Sequence, residues 1–437
     1  MSSVKLGILG LGTVGGGTVN VLTRNQVEIN RRVGHRVEMT IASARDIHKP
    51  RICKTEGITL TSDPFEVVNH PEVNIVVELI GGDTLARELV MRAISNRKHV
   101  VTANKALIAK HGNEIFAEAQ KNGVIVAYEA AVAGGIPIIK AIREGLAANQ
   151  IAWLAGIING TGNFILTEMR NAGRDFNDVL AEAQRLGYAE TDPTFDIEGI
   201  DAAHKLTILA SVAFGITLQF DKAYTEGISH ITREDVQYAE ELGYRIKHLG
   251  ITRRTPAGFE LRVHPTLIPE RRLLANVDGV MNAVLVYGDA VGPTLYYGAG
   301  AGAEATASAV VADIIDVARD LQDESGGSRV PALAFQPAAL DTTPVISMEE
   351  VETSYYLRMM VQDHHGVLAE ITRILADNGI SIEAMIQKAA WHGESTLPLI
   401  MLTHKVKERQ MNQALYAIEA LPSVTGRAVR IRMESLK

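Results

Sequence analysis

The residues best suited to proton chemistry lie in one stretch, Gly187-Tyr-Ala-Glu190-Thr-Asp-Pro-Thr-Phe-Asp196-Ile-Glu-Gly-Ile-Asp201-Ala-Ala-His-Lys205. Gly187, Asp192-Pro193 and Gly199 mark a loop. From Ile200 the pattern turns helical, with Leu206, Ile208, Leu209 and Val212 supplying an apolar face. Asp201 and Lys205 then stand one turn apart on the same face, about 6 Å along the axis. A carboxylate beside an ammonium on a rigid helix can deliver or accept a proton. Glu190, Asp192 and Asp196 add acceptors for a cationic group. Alone, such a pair is also what a solvated surface helix carries, where it stabilises by about 0.3–0.5 kcal/mol. The surrounding elements decide between the two.

Residues Val4 to Gly15 read as a short apolar strand, then Gly10-Leu11-Gly12-Thr13-Val14-Gly15, then a helix through Val19 and Leu22. This GxGxxG has the strand–turn–helix context of a dinucleotide-binding turn: Gly10 for the tight turn, Gly12 for close approach of a pyrophosphate, Gly15 for helix–strand packing. The helix N-terminus offers unpaired N–H groups to phosphate. The next strand, Val37 to Ala42, ends in Ser43-Ala-Arg45-Asp46 rather than in the acidic residue that holds a ribose 2′-hydroxyl. Arg45 suits a 2′-phosphate and favours NADP, with NAD as the other option; an ordinary exposed arginine is the plain reading.

Strand-like runs at Asn74–Leu79, His99–Thr102 and Val124–Ala127 alternate with helical runs at Thr84–Asn96 and Glu114–Asn122. That order predicts a doubly wound parallel sheet with its ligand at the carboxyl ends of the strands. Two segments fall there. Thr102-Ala-Asn104-Lys105 makes Lys105 a candidate for contacting cofactor or substrate, or is a helix start with a lysine exposed to water. Glu129-Ala-Ala-Val132-Ala-Gly134-Gly135-Ile136-Pro137 permits irregular backbone whose carbonyls, with the Glu129 carboxylate, could hold a hard monovalent cation, or is a plain turn. A second unit has a strand at Ile151–Ile158, a turn Asn159-Gly160-Thr161-Gly162-Asn163 that is either suited to a small anion or merely structural, and a helix from Phe164. Asn282–Tyr287 reads as a strand. Tyr296-Tyr297-Gly298-Ala-Gly300-Ala-Gly302 opens an alanine-rich helix and either covers the cofactor or allows close packing. The 321–353 stretch is linker-like. A βαββαβ pattern follows: Tyr355–Val361, a helical stripe of Val367, Leu368, Ile371, Ile374 and Leu375, Ile380–Ile386, Thr396–His404, Met411–Ala420 and Val424–Arg432. The expected fold is α/β: a Rossmann-type domain at 1–140, an α+β catalytic and dimerisation domain at 141–320, a linker at 321–353 and a regulatory domain at 354–433.

Composition narrows the function. The chain has 437 residues, a net charge of −8 and no basic run, which argues against nucleic acid as a partner. Cys53 is the sole cysteine, so thiolate zinc sites and internal disulfides are excluded, consistent with a reducing compartment. No long uninterrupted apolar run is present, so the expectation is a cytoplasmic protein without a membrane partner.

Together these segments resemble the homoserine dehydrogenases over the whole length, with a C-terminal ACT domain carried by Asp363-His-His-Gly366-Val-Leu-Ala and Asn378-Gly-Ile-Ser-Ile382. Gly187–Lys205 is the most specific match, alongside Gly7–Gly15, Thr102–Ala109, Glu129–Pro137, Asn159–Asn163 and Gly298–Val311. No aspartokinase-like region precedes them, so the monofunctional form is expected. The resemblance implies NAD(P)H-dependent reduction of L-aspartate 4-semialdehyde to L-homoserine. It implies Lys205 as proton donor with Asp201 beside it, and Lys105 near nicotinamide and substrate. Glu190 and Asp196 would hold the substrate amino group, and Gly160 and Thr161 its carboxylate. Gly187 and Gly302 would lie beside the cofactor. Glu129, Val132, Gly134 and Ile136 match the family's sodium site. Gly162 and Ala305 depart from the family pattern, where threonine and proline are frequent. L-threonine is the expected inhibitor through the ACT domain, and a homodimer or homotetramer the expected assembly.

Two other readings compete. Another NAD(P)-linked amino-acid dehydrogenase shares the dinucleotide half but gives no reason for the Asp201–Lys205 pair. A non-catalytic dinucleotide and amino-acid sensor has no need of a proton donor.

Overall fold

The computed structural model describes residues 3–321, 330–387 and 396–437. The Ser325–Ser328 centre of the expected linker lies outside the described residues. The chain divides into two compact units: one of residues 1–160, 201–223 and 280–343, the other of residues 161–200, 224–279 and 344–437.

The first unit is built on a six-stranded parallel sheet. Its strands lie in the order Thr59–Thr61, Val37–Ser43, Val4–Leu9, Ile75–Glu78, His99–Thr102, Val126–Ala127. Leu6, Ile8, Ile75 and Val77 are wholly buried, as both-face coverage of a parallel sheet requires. The order reverses at Val4–Leu9, so the crevice above Gly10 is where a ligand of such a sheet sits. The Ala303–Asp320 helix buries Ala307, Val310 and Ile314 in the same core. Gly17 permits this: a Cβ there would lie 2.3 Å from the Ala303 carbonyl oxygen. The unit also holds an antiparallel trio, in which Met281–Gly288 pairs with Ile151–Ile157 and with Gly292–Ala299.

The second unit is organised by a long hairpin. Tyr244–Thr255 and Gly258–Pro269 pair antiparallel along their whole length. Val424–Met433 joins the hairpin in parallel through Thr266↔Arg432 and Leu267↔Met433. It also pairs antiparallel with Glu352–Gln362, which continues to Thr396–Thr403 and Ile382–Gln387. With the helices Val367–Asp377 and Glu408–Glu419, these strands give the expected βαββαβ layer. Val367, Ile371 and Leu375 are buried, so the stripe is core.

Three local expectations are corrected. The helix read as Glu114–Asn122 begins at Lys105. Gly112 interrupts its pattern because a Cβ there would stand 2.5 Å from Leu218 Cδ1. The anion-suited turn at Asn159–Asn163 is instead the first turn of a Gly160–Ala172 helix. Its exposed donors are the orphan N–H groups every helix start leaves. Tyr296–Ala299 is not loop but the end of a strand. Among the described residues, no helix is long and apolar enough to cross a membrane.

Candidate active site

The carboxyl ends of the parallel strands are tied together by a buried residue that the sequence reading passed over. Glu78, at the tip of Ile75–Glu78, accepts from the backbone of Ile80 (2.9 Å) and Gly81 (3.3 Å) and from the Thr102 hydroxyl (2.6 Å). Burial pushes its carboxyl up, against the pull of these bonds. Thr102 Oγ1 in turn accepts from Asn104 N–H at 3.0 Å. The Asn104 side chain donates to the Gly82 carbonyl and caps the next helix by accepting from Leu107 N–H at 3.0 Å. Lys105 is thereby fixed at the first position of that helix. The signal was legible in principle: a carboxylate ending a buried parallel strand has no solvent to satisfy it.

Lys105 reaches Asp201. Its Nζ stands 3.0 Å from Asp201 Oδ1. Lys205 Nζ donates to Asp201 Oδ2 at 2.7 Å and to the Ile158 carbonyl at 2.7 Å. Asn159 Nδ2 donates to the same Oδ2 at 2.8 Å. The one-turn spacing on Ile200–Phe214 thus brings Asp201 and Lys205 together as expected, and the sheet brings Lys105 to the same carboxylate. Asn159 belongs to this cluster as well. Burial pushes the Asp201 carboxyl up, but the Lys205 and Lys105 ammonium groups more than reverse that and hold it well below the usual carboxylate range. Lys105 keeps 36% of its side chain exposed, Lys205 11% and Asp201 4%. The ionised carboxylate is thus enclosed, while both ammonium groups retain exposure.

The dinucleotide turn has the required shape. Gly10 has φ +94°, and a Cβ on Gly15 would fall 2.0 Å from the Gly10 carbonyl oxygen. Gly12 caps the Thr13–Arg24 helix, and a Cβ there would meet nothing within 4 Å. The space beside Gly12 is open, which leaves room for close approach of a phosphate to this backbone. Arg45 is exposed just beyond Val37–Ser43. Gly302 has φ +128° and precedes the Ala303–Asp320 helix.

Glu129 is buried, and its two oxygens accept from the backbone of Ile139 and Lys140, each at 2.8 Å. Burial and the nearby Asp313 push its carboxyl up to about 7. Ala133 and Gly134 both have positive φ, so Val132–Ile136 is irregular backbone, as expected. Among the described residues, no three histidine, cysteine or acidic side chains gather as a metal site. A cation here would therefore depend on backbone carbonyls. The residues fit that: a buried carboxyl that resists ionisation gains from a cation beside it.

In the second unit, Thr161 Oγ1 donates to the Tyr188 carbonyl at 2.5 Å and lies 3.3 Å from Asp196 Oδ2. Phe164 packs edge-on to Tyr188 at 5.1 Å. The loop beginning at Gly187 is thus seated on the start of the Gly160–Ala172 helix. Gly187 has φ +76° and ends the preceding helix. Glu190 is exposed.

A parallel dinucleotide-type sheet, together with the family matches, makes the chain an NAD(P)-dependent oxidoreductase. Residues 10–129 match the family described as homoserine dehydrogenase, NAD binding domain; residues 137–315 match homoserine dehydrogenase, and residues 355–423 the ACT domain. The chain belongs to the homoserine dehydrogenase family. It is 65% identical to a homoserine dehydrogenase of Pseudomonas aeruginosa over 436 residues, covering 100% of both chains. It is 57% identical to one of Neisseria gonorrhoeae, again covering 100% of each. The crystal structure of a homoserine dehydrogenase from Thiobacillus denitrificans superposes with a TM-score of 0.96 at 64% identity, covering 100% of this chain and 99% of that one. A hyperthermophilic archaeal homoserine dehydrogenase in complex with NADPH matches with a TM-score of 0.63 at 26% identity, covering 72% of this chain and 98% of that one.

Proposed function

We propose that this chain catalyses the reversible NAD(P)H-dependent reduction of L-aspartate 4-semialdehyde to L-homoserine, with Lys205 as the proton donor. The observation that carries this is the Asp201 carboxylate shared by Lys205 and Lys105. The nicotinamide supplies a hydride to the aldehyde carbon. Negative charge then builds on the aldehyde oxygen. One carboxylate between two ammonium groups leaves the cluster with an excess positive charge, which stabilises that oxygen. Lys205 transfers its proton to the oxygen, and in the reverse direction accepts it. Asp201 keeps Lys205 oriented. Lys105 contacts nicotinamide and substrate.

Glu190 and Asp196 hold the substrate amino group, and Gly160 and Thr161 its carboxylate. The bond from Thr161 towards Asp196 supports a common seat for the two. Gly10, Leu11, Gly12, Thr13, Val14, Gly15, Gly187 and Gly302 line the dinucleotide, and Arg45 receives the 2′-phosphate of NADP. The archaeal relative crystallised with NADPH supports that choice. Glu129, with the carbonyls of Val132, Gly134 and Ile136, holds sodium. The functional division is 1–140 for the cofactor, 141–320 for substrate and dimerisation, 321–353 as linker and 354–433 for regulation. L-threonine acts through the ACT domain, where a cavity of about 110 Å3 lies at the Asp363, His364 and Gly366 turn. The active form is a cytoplasmic homodimer or homotetramer.

The test is NADP+ reduction by L-homoserine, with L-aspartate as the control substrate. Turnover of homoserine alone supports the reading. Preference for aspartate would move the chain to a different reaction, and cofactor binding without turnover would make it a sensor.

A further inference from the structure

Within the second unit lies a buried ion cluster that none of the chemistry above uses. Arg432, on Val424–Met433, is 0% exposed. Its Nε and Nη2 donate to the Glu408 carboxylate at 2.9 and 2.5 Å. Its Nη1 donates to Glu226 Oε2 at 2.7 Å, and its Nη2 to the Tyr224 hydroxyl at 3.0 Å. The Tyr224 hydroxyl donates to Glu226 Oε2 at 2.8 Å. Arg430 adds a second guanidinium, 3.0 Å from Glu408 Oε1. Burying so many charges is a poor route to stability, because desolvation offsets their attraction and apolar side chains would hold the sheet as well. What the guanidinium fork supplies is alignment, since it fits its carboxylates in one geometry.

The partner being aligned is Glu226. Its N–H donates to the Val263 carbonyl at 2.8 Å, and its carbonyl pairs with His248 Nε2 at 2.9 Å, so both hairpin strands clamp it. The residues just after it form the seat of the carboxylate loop. Ile228 N–H donates to the Ile197 carbonyl at 3.0 Å, and Ser229 Oγ donates to Glu198 Oε1 at 3.2 Å. A Cβ on Gly227 would strike Glu198 Oε2 at 2.3 Å. Gly199, with φ +82°, is closed in by Val263 Cγ1 at 2.9 Å and the His248 ring at 3.2 Å from where its Cβ would stand. The turn Thr194–Ile197, which carries Asp196, is therefore held at its end by the Ile197–Ile228 backbone bond and by the close fit around Gly199.

We infer that Arg432 and Glu226 are positioning residues for substrate binding: the ion pair sets Glu226, Glu226 sets Gly227–Ser229, and these set the turn that presents Asp196. The inference rests on the reading of Asp196 as a substrate contact. It gives the C-terminal βαββαβ layer a direct mechanical hold on the substrate loop through its own last strand.

The test uses the full-length enzyme and initial rates with varied homoserine and varied NADP+. Glu226→Gln keeps the volume and removes the charge; it should raise the homoserine KM about fivefold or more while kcat and the NADP+ KM stay within about twofold. Arg432→Lys keeps the charge without the fork and should give a smaller rise in the same constant. The double variant Glu226→Met/Arg432→Met removes the pair without orphaning a charge. It should melt near the parent temperature yet keep the raised homoserine KM, and it carries the test if Glu226→Gln fails to fold. An unchanged homoserine KM in a folded variant, a parallel rise in both KM values, or a return to the parent KM in the double variant would overturn the inference. A parent enzyme that does not turn over homoserine would overturn the proposed reaction instead.

Discussion

Around Asp201, one buried carboxylate serves two ammonium groups, both of which keep some exposure. Around Arg432, two guanidinium groups face two carboxylates, Glu226 and Glu408, with a tyrosine hydroxyl filling a further position. Both clusters are buried and hydrogen-bonded, but only one carries surplus charge. That surplus is what a reacting oxygen can use, and it is tolerable only where water or substrate reaches the ammonium ends. A balanced cluster has no net charge to give a ligand, and its effect is confined to geometry. Burial and short ion pairs therefore do not by themselves mark an active site; unequal charge does.

The largest expected effect tests the unequal cluster. Lys205→Ala should lower kcat for homoserine oxidation by about 10²–10⁴-fold, the usual worth of a positioned acid. Activity that survives would shift the proton donor to Lys105. The matching test of the balanced cluster is thermodynamic. Arg432→Met alone leaves Glu226 and Glu408 to share the single guanidinium of Arg430 and should cost about 3–5 kcal/mol in denaturant unfolding. A loss below about 1 kcal/mol, the range of exposed pairs, would mean the cluster is solvated.

Acid separates the clusters from a third group of residues. Burial pushes the carboxyls of Asp201, Glu226 and Glu408 up, but their adjacent cations prevail and hold each below its ordinary value. The stability they contribute is fully present above about pH 4 and is lost as pH falls through the lower folded values. Burial pushes the imidazoles of His99, His204 and His248 down to about 4. The unfolded chain takes those protons near pH 6.5, so stability declines as pH falls from about 6.5 towards 4. The melting temperature should thus fall between pH 6.5 and 5, before the carboxylates of the two clusters titrate, and against the smaller opposing gain from Glu129, whose raised carboxyl takes its proton in the folded chain near pH 7. A flat profile across that window would show that the three histidines contribute no more than this opposing group.

The smallest effect concerns the cofactor. Arg45→Ala should weaken NADP+ use about tenfold and leave NAD+ use nearly unchanged, as expected for one lost charge-assisted contact worth about 1.5 kcal/mol. Equal losses would mean that Arg45 does not read the phosphate.

Much of this architecture is legible in the sequence. The dinucleotide turn and the Asp201–Lys205 spacing follow from local rules, and both elements form where periodicity puts them. The hairpin Tyr244–Pro269 is not legible, for a physical reason. Gly258–Pro269 is buried on both faces, so no alternation exposes its period, and it carries Glu260, Arg262 and His264, which bond one another along the strand in place of solvent. Arg262 is satisfied by Glu434, more than a domain away along the chain. Asn159 reads from sequence only as part of a turn, since its bond to Asp201 crosses between elements, whereas Glu78 could be found from its place at the end of a buried strand.

The strand Val424–Met433 stands between the hairpin and the rest of the βαββαβ layer. During synthesis the hairpin leaves the ribosome long before that strand exists. Until it arrives, the hairpin edge at Thr266 and Leu267 is open to any extended segment nearby, while Tyr224–Thr225 already covers Arg262 and Val263. Of the two units, only this one contains the late strand. Its closure waits on a strand far downstream in the chain, so this is the unit whose edge stays exposed longer.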